Sequence, residues 1–255
     1  MMATTASRQA SISAIAQRQW ADYRALVPGS FFAEDHAALS LDEAYAVQAE
    51  VARLRCDAAD AVAGYKVGCV GPGVVEQFGM SGPIHARLFR SEMRASGQPV
   101  RHDGFANLAI EGEMALRIGA DGVIAQAFPV IELHHFVFRG ARKTLPELVA
   151  NNGIHGGVVL PPEAAMQPLD FWPNDARLAV TINGVVVDTG ALWPMPGGAE
   201  ASVTWLAGDL ARRGAALRPG DLVLAGTPLG LFPVSPGDHV VVAVDGQRIV
   251  ECRIV

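Results

Sequence analysis

Glu111 and Glu113, two residues apart in the run Ile110-Glu111-Gly112-Glu113-Met114-Ala115-Leu116-Arg117-Ile118, are where chemistry can first be read in this chain. Ile110, Gly112, Met114, Leu116 and Ile118 fall in one phase of the run; Glu111, Glu113, Ala115 and Arg117 fall in the other. A period of two marks a strand, and it projects both glutamates from one face. Carboxylates this close repel, and apolar surroundings make each costlier to ionise. A hard divalent cation such as Mg2+ reverses that balance, because it takes oxygen ligands and tolerates adjacent anions. The alternative is a half-exposed strand with two solvated glutamates.

Other residues could share such a site. Phe128-Pro129-Val130-Ile131-Glu132-Leu133-His134-His135 places a third carboxylate, Glu132, in an apolar run ahead of two histidines. Lys66 sits between apolar neighbours in Gly64-Tyr65-Lys66-Val67-Gly68. A lysine is rarely buried without a partner, although its long stem also suits a solvated strand position. Asn151-Asn152-Gly153-Ile154-His155 forms a polar, glycine-bearing stretch, and Glu34, His36 and Glu76 are further acid–base candidates.

The elements that must position these groups follow from local signals. Apolar spacing predicts a surface helix over about 8–26. Ser40 with Glu43 three residues on has capping-box spacing, and predicts a helix starting there. A short strand spans 64–70 and a short helix 73–79 carries Glu76. A strand over about 107–118 is followed by Ala120-Asp121-Gly122, a hairpin candidate. A short helix at 145–150 runs into the polar loop 151–157. Asn183-Gly184 between two β-branched runs demands a type I′ hairpin, a helix covers 198–213, and Asp245-Gly246 tips a last hairpin. The second half is mostly strands with no parallel βαβ alternation. That pattern predicts an α+β fold with a curled or barrel-like mixed sheet.

Composition narrows the class. The chain has 255 residues, of which 50% are apolar and 18% charged, so it can bury a sizeable core. The net charge is -6, and no basic run is interleaved with aromatics, which points away from nucleic acid and anionic membranes. No apolar stretch is long enough to span a bilayer, and the N-terminus does not read as a secretory signal. Cys56, Cys69 and Cys252 show no CxxC spacing. They read as small core residues of a cytoplasmic protein, and not as zinc ligands or a disulfide framework.

Six fragments occur in one order: GYKVG, the E-x-E strand, P-x-x-E (Pro129 to Glu132), the Asn-rich loop, the Asn-Gly hairpin, and AGTP followed by SPGD. Together they resemble the fumarylacetoacetate hydrolase superfamily, and within it the 2-keto-4-pentenoate hydratase and 4-oxalocrotonate decarboxylase branch. The resemblance runs from about residue 40 to the end. It implies a mixed β-sandwich roll of the fumarylacetoacetase C-terminal kind, with an N-terminal helical segment (1–60) ahead of the catalytic sheet domain (61–255). It implies Mg2+ or Mn2+ held by Glu111, Glu113 and Glu132, with a small-molecule 2-keto acid as substrate. Lys66 is then a proton donor or cationic partner, its pKa lowered toward working pH by a desolvated pocket. Glu76 and His135 are the other acid–base candidates; Thr227, Asn152 and His155 lie near substrate. The implied activity is a hydratase or decarboxylase of aromatic catabolism, in a homo-oligomer. A C–C hydrolase, using Glu34 and His36 or Glu76 to activate water, a keto–enol tautomerase, and an inactive partner subunit are the alternatives. The chain departs from the family pattern at His135-Phe136-Val137, where relatives carry an acidic, a hydroxyl and a basic residue, and in the Asn loop.

Overall fold

A computed structural model describes residues 2–27, 39–70, 83–135 and 144–255. Its helices are α1 (Met2–Arg24), α2 (Leu41–Asp57), α3 (Leu145–Ala150) and α4 (Gly198–Arg212). Its strands are β1 (Val62–Gly68), β2 (Ile84–Phe89), β3 (Met93–Ala95), β4 (Pro99–Val100), β5 (Ala109–Ile118), β6 (Ile124–His134) and β7 (His155–Leu160). There follow β8 (Arg177–Ile182), β9 (Val185–Ala191), β10 (Leu222–Leu224), β11 (Phe232–Pro233), β12 (His239–Val244) and β13 (Gln247–Ile254). They form two mixed sheets, one in the order β2-β1-β10-β5-β6-β7-β3 with β11 on β5, the other in the order β4-β13-β12-β8-β9.

The hairpin β5–β6 is the spine of the first sheet. One phase of β5, Ile110, Met114, Leu116 and Ile118, packs in one cluster with Leu178, Val180, Val240, Val242 and Val250 of the second sheet. Burying each such side chain contributes roughly 1.5–3 kcal/mol. Gly112 lies in that phase because the sheets come too close for anything larger: a Cβ there would stand 2.5 Å from Val180 Cγ2 and 3.2 Å from Val242 Cγ2. The other phase, with Glu111 and Glu113, faces away from this core. Both expected hairpins appear, the type I′ turn at Asn183-Gly184 with positive φ (53° and 81°), and Asp245-Gly246, likewise with positive φ (48° and 80°), at the tip of the last.

The first sheet curls without closing. β2 and β7 touch, yet share no strand ladder among the described residues. Asn152 bridges the gap instead: its Oδ1 accepts from Arg87 N at 2.8 Å and its Nδ2 donates to Arg87 O at 2.8 Å. The expected barrel-like sheet is therefore an open curl backed by a second sheet.

The helices cover one flank. Ser40 Oγ accepts from Glu43 N at 3.3 Å while Ser40 N donates to Glu43 Oε2 at 2.9 Å, the capping box read from sequence. Ile12 and Ala16 of α1, Ala44, Tyr45 and Val47 of α2, and Leu148 and Val149 of α3 share a cluster with Ile84 and Ile154. The helix expected over 8–26 begins earlier, at Met2, and the end of the expected 151–157 loop is already strand β7. Cys252 is buried as expected, but Cys56 is exposed on α2 and Cys69 half-buried. Among the described residues no helix is long and apolar enough to cross a membrane.

Candidate active site

The antiparallel register sets the site. Glu111 pairs with Glu132, Ala109 with His134 and Glu113 with Val130. Cross-strand partners share a face, as do residues two apart on one strand. Glu111, Glu113, Glu132 and His134 therefore project together into the curl. His134 Nε2 lies 3.0 Å from Glu111 Oε2 and 3.7 Å from Glu132 Oε2. Donor atoms of Glu111, Glu132 and His134 all fall within 4.8 Å of one another. Glu132, Glu113 and His134 are buried, whereas the Glu111 side chain keeps 20% exposure and marks the side open to solvent.

The two oxygens of Glu132 differ. Oε1 accepts from Lys66 Nζ at 2.6 Å and lies 2.7 Å from His155 Nδ1. Oε2 is buried and has no hydrogen-bond partner among the described residues. Burial opposes ionisation of Glu132, but Lys66, His134 and His155 outweigh it and hold the carboxyl well below the usual range. Glu113 goes the other way. Its burial, reinforced by the Glu132 charge, raises its pKa well above the ordinary value, while Oε1 accepts the backbone N–H of Gly226. The expected lowering of the Lys66 pKa is not found. Burial pulls it down, but Glu132, Glu111 and Glu113 outweigh burial and raise it.

The loop after β10 closes on this cluster. Gly226 reaches Glu113, and Thr227 Oγ1 donates to Gly112 O at 2.8 Å and accepts from Leu229 N at 3.1 Å. Thr227 thus stands beside the glutamates with its hydroxyl holding the loop. Cys69 adjoins the cluster too; burial, opposed by Lys66 and aided by Glu111, pushes its thiol up to about 11. It is no nucleophile at neutral pH.

Of the residues singled out from sequence, Lys66, Glu111, Glu113, Glu132, Thr227 and His155 come together. His155 is wedged behind Glu132, with its Nε2 3.6 Å from Glu92 Oε2. Glu92 Oε1 in turn accepts from Tyr23 Oη at 2.6 Å and from Arg55 at 2.7 Å. His135 stands apart, on the opposite face of the strand. Its Nδ1 accepts from Ala106 N at 2.8 Å, and its ring meets Tyr23 edge-on, centroids 4.7 Å apart. Burial lowers its pKa, so it is a neutral imidazole joining α1 to the sheet. Asn152 is committed to the backbone of Arg87, as described above. Glu76, and with it Glu34, His36, Phe136 and Val137, lies outside the described residues. His134 and Glu92 were not singled out from sequence. Alternation already placed His134 in phase with Glu132; no local pattern points to Glu92.

The donor set fits a divalent cation. A buried carboxylate oxygen without a partner is costly; Glu132 Oε2 lies 3.7 Å from His134 Nε2, in the cluster where donor atoms of Glu111, Glu132 and His134 converge. Oxygen-rich sets of this kind suit Mg2+ and Mn2+.

Comparison with known proteins agrees with this geometry. The family model for the fumarylacetoacetate (FAA) hydrolase C-terminal domain matches residues 86–255. A TodF product hydratase of Pseudomonas putida is 29% identical over 78% of this chain and 78% of its own length. A 4-oxalocrotonate decarboxylase of Pseudomonas putida is 25% identical, covering 87% of this chain and 88% of its own. Among solved structures, 4-oxalocrotonate decarboxylase from Pseudomonas putida G7, complexed with magnesium and adipate, superposes with a TM-score of 0.88 at 22% identity, covering 96% of this chain and 97% of its own. Fumarylpyruvate hydrolase from Pseudomonas aeruginosa, in complex with Mn2+ and pyruvate, gives a TM-score of 0.57 at 18% identity over 75% and 88%. At these identities the structures establish a shared fold.

Proposed function

The chain belongs to the fumarylacetoacetate hydrolase family, and on that footing we propose that it is a divalent-metal-dependent lyase acting on a 2-keto acid or 2-hydroxydienoate. The activity is that of a 2-keto-4-pentenoate hydratase or a 4-oxalocrotonate decarboxylase, in the breakdown of aromatic compounds. Of the relatives named above, one is named a hydratase and another a 4-oxalocrotonate decarboxylase. The observation that carries the reading is Glu132, with one oxygen engaged by Lys66 and His155 and the other buried without a hydrogen-bond partner among the described residues, 3.7 Å from His134 Nε2, where donor atoms of Glu111, Glu132 and His134 converge.

Glu111 and Glu132 would hold the ion, with Glu113 next to them. Bound there, Mg2+ or Mn2+ supplies Lewis-acid stabilisation of negative charge on the substrate's 2-oxo group, worth several kcal/mol in the transition state. The residues of the chain do the rest. Lys66 keeps an ammonium beside the cluster, so its Nζ can offset developing negative charge and hand a proton to the substrate carbon chain. Burial and the Glu132 charge raise the Glu113 pKa while the cluster carries no ion, and a cation held beside it would favour its ionised form. His155 keeps Glu132 in place from behind. Gly226 and Thr227 hold the wall of the site against β5. α1 and α2 of the N-terminal segment 1–60 join the same unit, since Tyr23 and Arg55 grip the Glu92 that backs His155. The reading includes a homo-oligomer in the cytoplasm.

Product analysis tests it. Protein loaded with Mg2+ or Mn2+ is incubated with a 2-hydroxydienoate and with 4-oxalocrotonate. Addition of water or release of CO2 supports the reading, and two cleaved fragments replace it with a C–C hydrolase. Cation binding with no turnover of any such acid leaves the inactive partner subunit.

A further inference from the structure

We propose that His134 is itself a metal ligand in this chain, completing with Glu111 and Glu132 a set of two carboxylates and one imidazole that favours Mn2+, Co2+ and other transition-metal ions over Mg2+. The inference rests on the metal reading above and sharpens it.

Three observations carry it. His134 shares a face with all three glutamates, because it is two residues beyond Glu132 on β6 and pairs with Ala109, two before Glu111 on β5. The atoms that converge are those of Glu111, Glu132 and His134; Glu113 has one oxygen taken by Gly226 N–H. Finally, the distances suit neighbouring ligands. Donors about 2.1 Å from one ion and at right angles lie about 3.0 Å apart, and His134 Nε2 is 3.0 Å from Glu111 Oε2.

A histidine that merely hydrogen-bonds Glu111 is the simpler alternative. It leaves two loose ends: among the described residues Glu132 Oε2 is buried without a partner, and so is His134 Nδ1. One ion between Nε2 and the two carboxylates resolves the first. With no ion bound, Nε2–H donates to Glu111 Oε2; among the described residues Nδ1 has no partner, so the proton can sit there instead when Nε2 presents its lone pair to a cation. The selectivity follows from ligand type. Carboxylates suit Mg2+, Ca2+ and Mn2+, whereas an imidazole nitrogen adds affinity for transition metals and little for Mg2+.

The test reads binding and spectroscopy on the full chain. Wild type and His134→Gln are titrated with Mn2+, Co2+ and Mg2+ by calorimetry, and Mn2+ bound to each is examined by pulsed electron paramagnetic resonance for coupling to nitrogen. Expected in the wild type is a nitrogen coupling and tighter binding of Mn2+ than Mg2+. Expected in His134→Gln is loss of that coupling, Mn2+ and Co2+ weakened by about 10-fold or more, and Mg2+ within about 3-fold. Mn2+ bound without nitrogen coupling in the wild type overturns the His134 assignment and leaves the metal centre standing. So does a coupling that survives in His134→Gln. No binding of any of the three ions to the wild type overturns both. Absence of the coupling in the wild type overturns the assignment even where His134→Gln fails to fold, and His134→Ala then serves as the second variant for a coupling that is present.

Discussion

Lys66 and Glu132, 66 positions apart in the chain, meet at 2.6 Å inside the curl of the first sheet, and both are buried. Replacing Lys66 with Met removes the ammonium from the site and leaves Glu132 less well paired. Turnover is expected to fall by about 10²–10⁴-fold, the usual contribution of a positioned acid. Stability without metal is expected to fall by about 3–5 kcal/mol, as for other broken buried pairs, and a divalent cation should recover part of it. Steady-state kinetics and urea melts with and without Mg2+ read both effects; unchanged turnover removes Lys66 from the mechanism.

Glu132 is the residue on which metal-linked stabilisation should depend. A ligand at 100 times its Kd adds about 2.7 kcal/mol to the folded state. Thermal melts with and without Mn2+ should show that gain in the wild type and none in Glu132→Gln. Equal gains in both would place the ion elsewhere.

His135 and His134 are neighbours in sequence, but the structure gives them different work. His135→Ala leaves the buried Ala106 N–H without its acceptor, at a cost of about 1–3 kcal/mol. Its turnover per folded molecule is expected to stay within about 3-fold of wild type. A large fall in kcat at unchanged stability would return His135 to the catalytic list.

Gly112→Ala should destabilise by crowding, with no contribution from φ. The added methyl collides with Val180 across the inter-sheet core, and overpacking of this kind costs about 1–3 kcal/mol. Val180→Ala should recover part of the loss in the double variant, because the two sites share one space. Denaturant midpoints of the four proteins measure the coupling; simple additivity would show that Val180 is not the obstacle.

His85 supplies a pH dependence away from the glutamates. Its Nδ1 lies 2.6 Å from Asp209 Oδ2 on α4; it stacks on Tyr45 of α2 and faces Tyr65, with Arg87 and Arg213 nearby. Burial lowers its pKa to about 4, against the pull of Asp209. Unfolded, the imidazole binds its proton near pH 6.5, so between 6.5 and 4 the unfolded chain holds more protons than the native one. Stability is therefore complete above about pH 6.5 and is lost as pH falls toward 4, by on the order of 3 kcal/mol. Denaturant melts from pH 7.5 to 4.5 should show that slope in the wild type and a flatter one in His85→Gln. Equal slopes in the two proteins would rule out His85 as its origin.

How much of this is legible before folding depends on the range of the interaction. The strand of Glu111 and Glu113, the Ser40 capping box and the Asn183-Gly184 turn rest on rules that act within a few residues, and each appears in the structure. The choice between His134 and His135 was local as well. Alternation puts His134 in phase with Glu132, whereas the departure from the family pattern begins at His135, one residue out of phase.

What the chain determines alone is the alternation that aims Glu111 and Glu113 from one face, and the turns that keep hairpin registers in step, because backbone sterics and side-chain period leave those little freedom. The depth of the curl was decided by tertiary packing. Two sheets pressed together at Gly112, and the Asn152 amide bridging β2 to the start of β7, bring Lys66 from β1 onto Glu132 and set His155 between Glu132 and Glu92. Those contacts join residues far apart in sequence, and their geometry exists only once the apolar faces have been buried together.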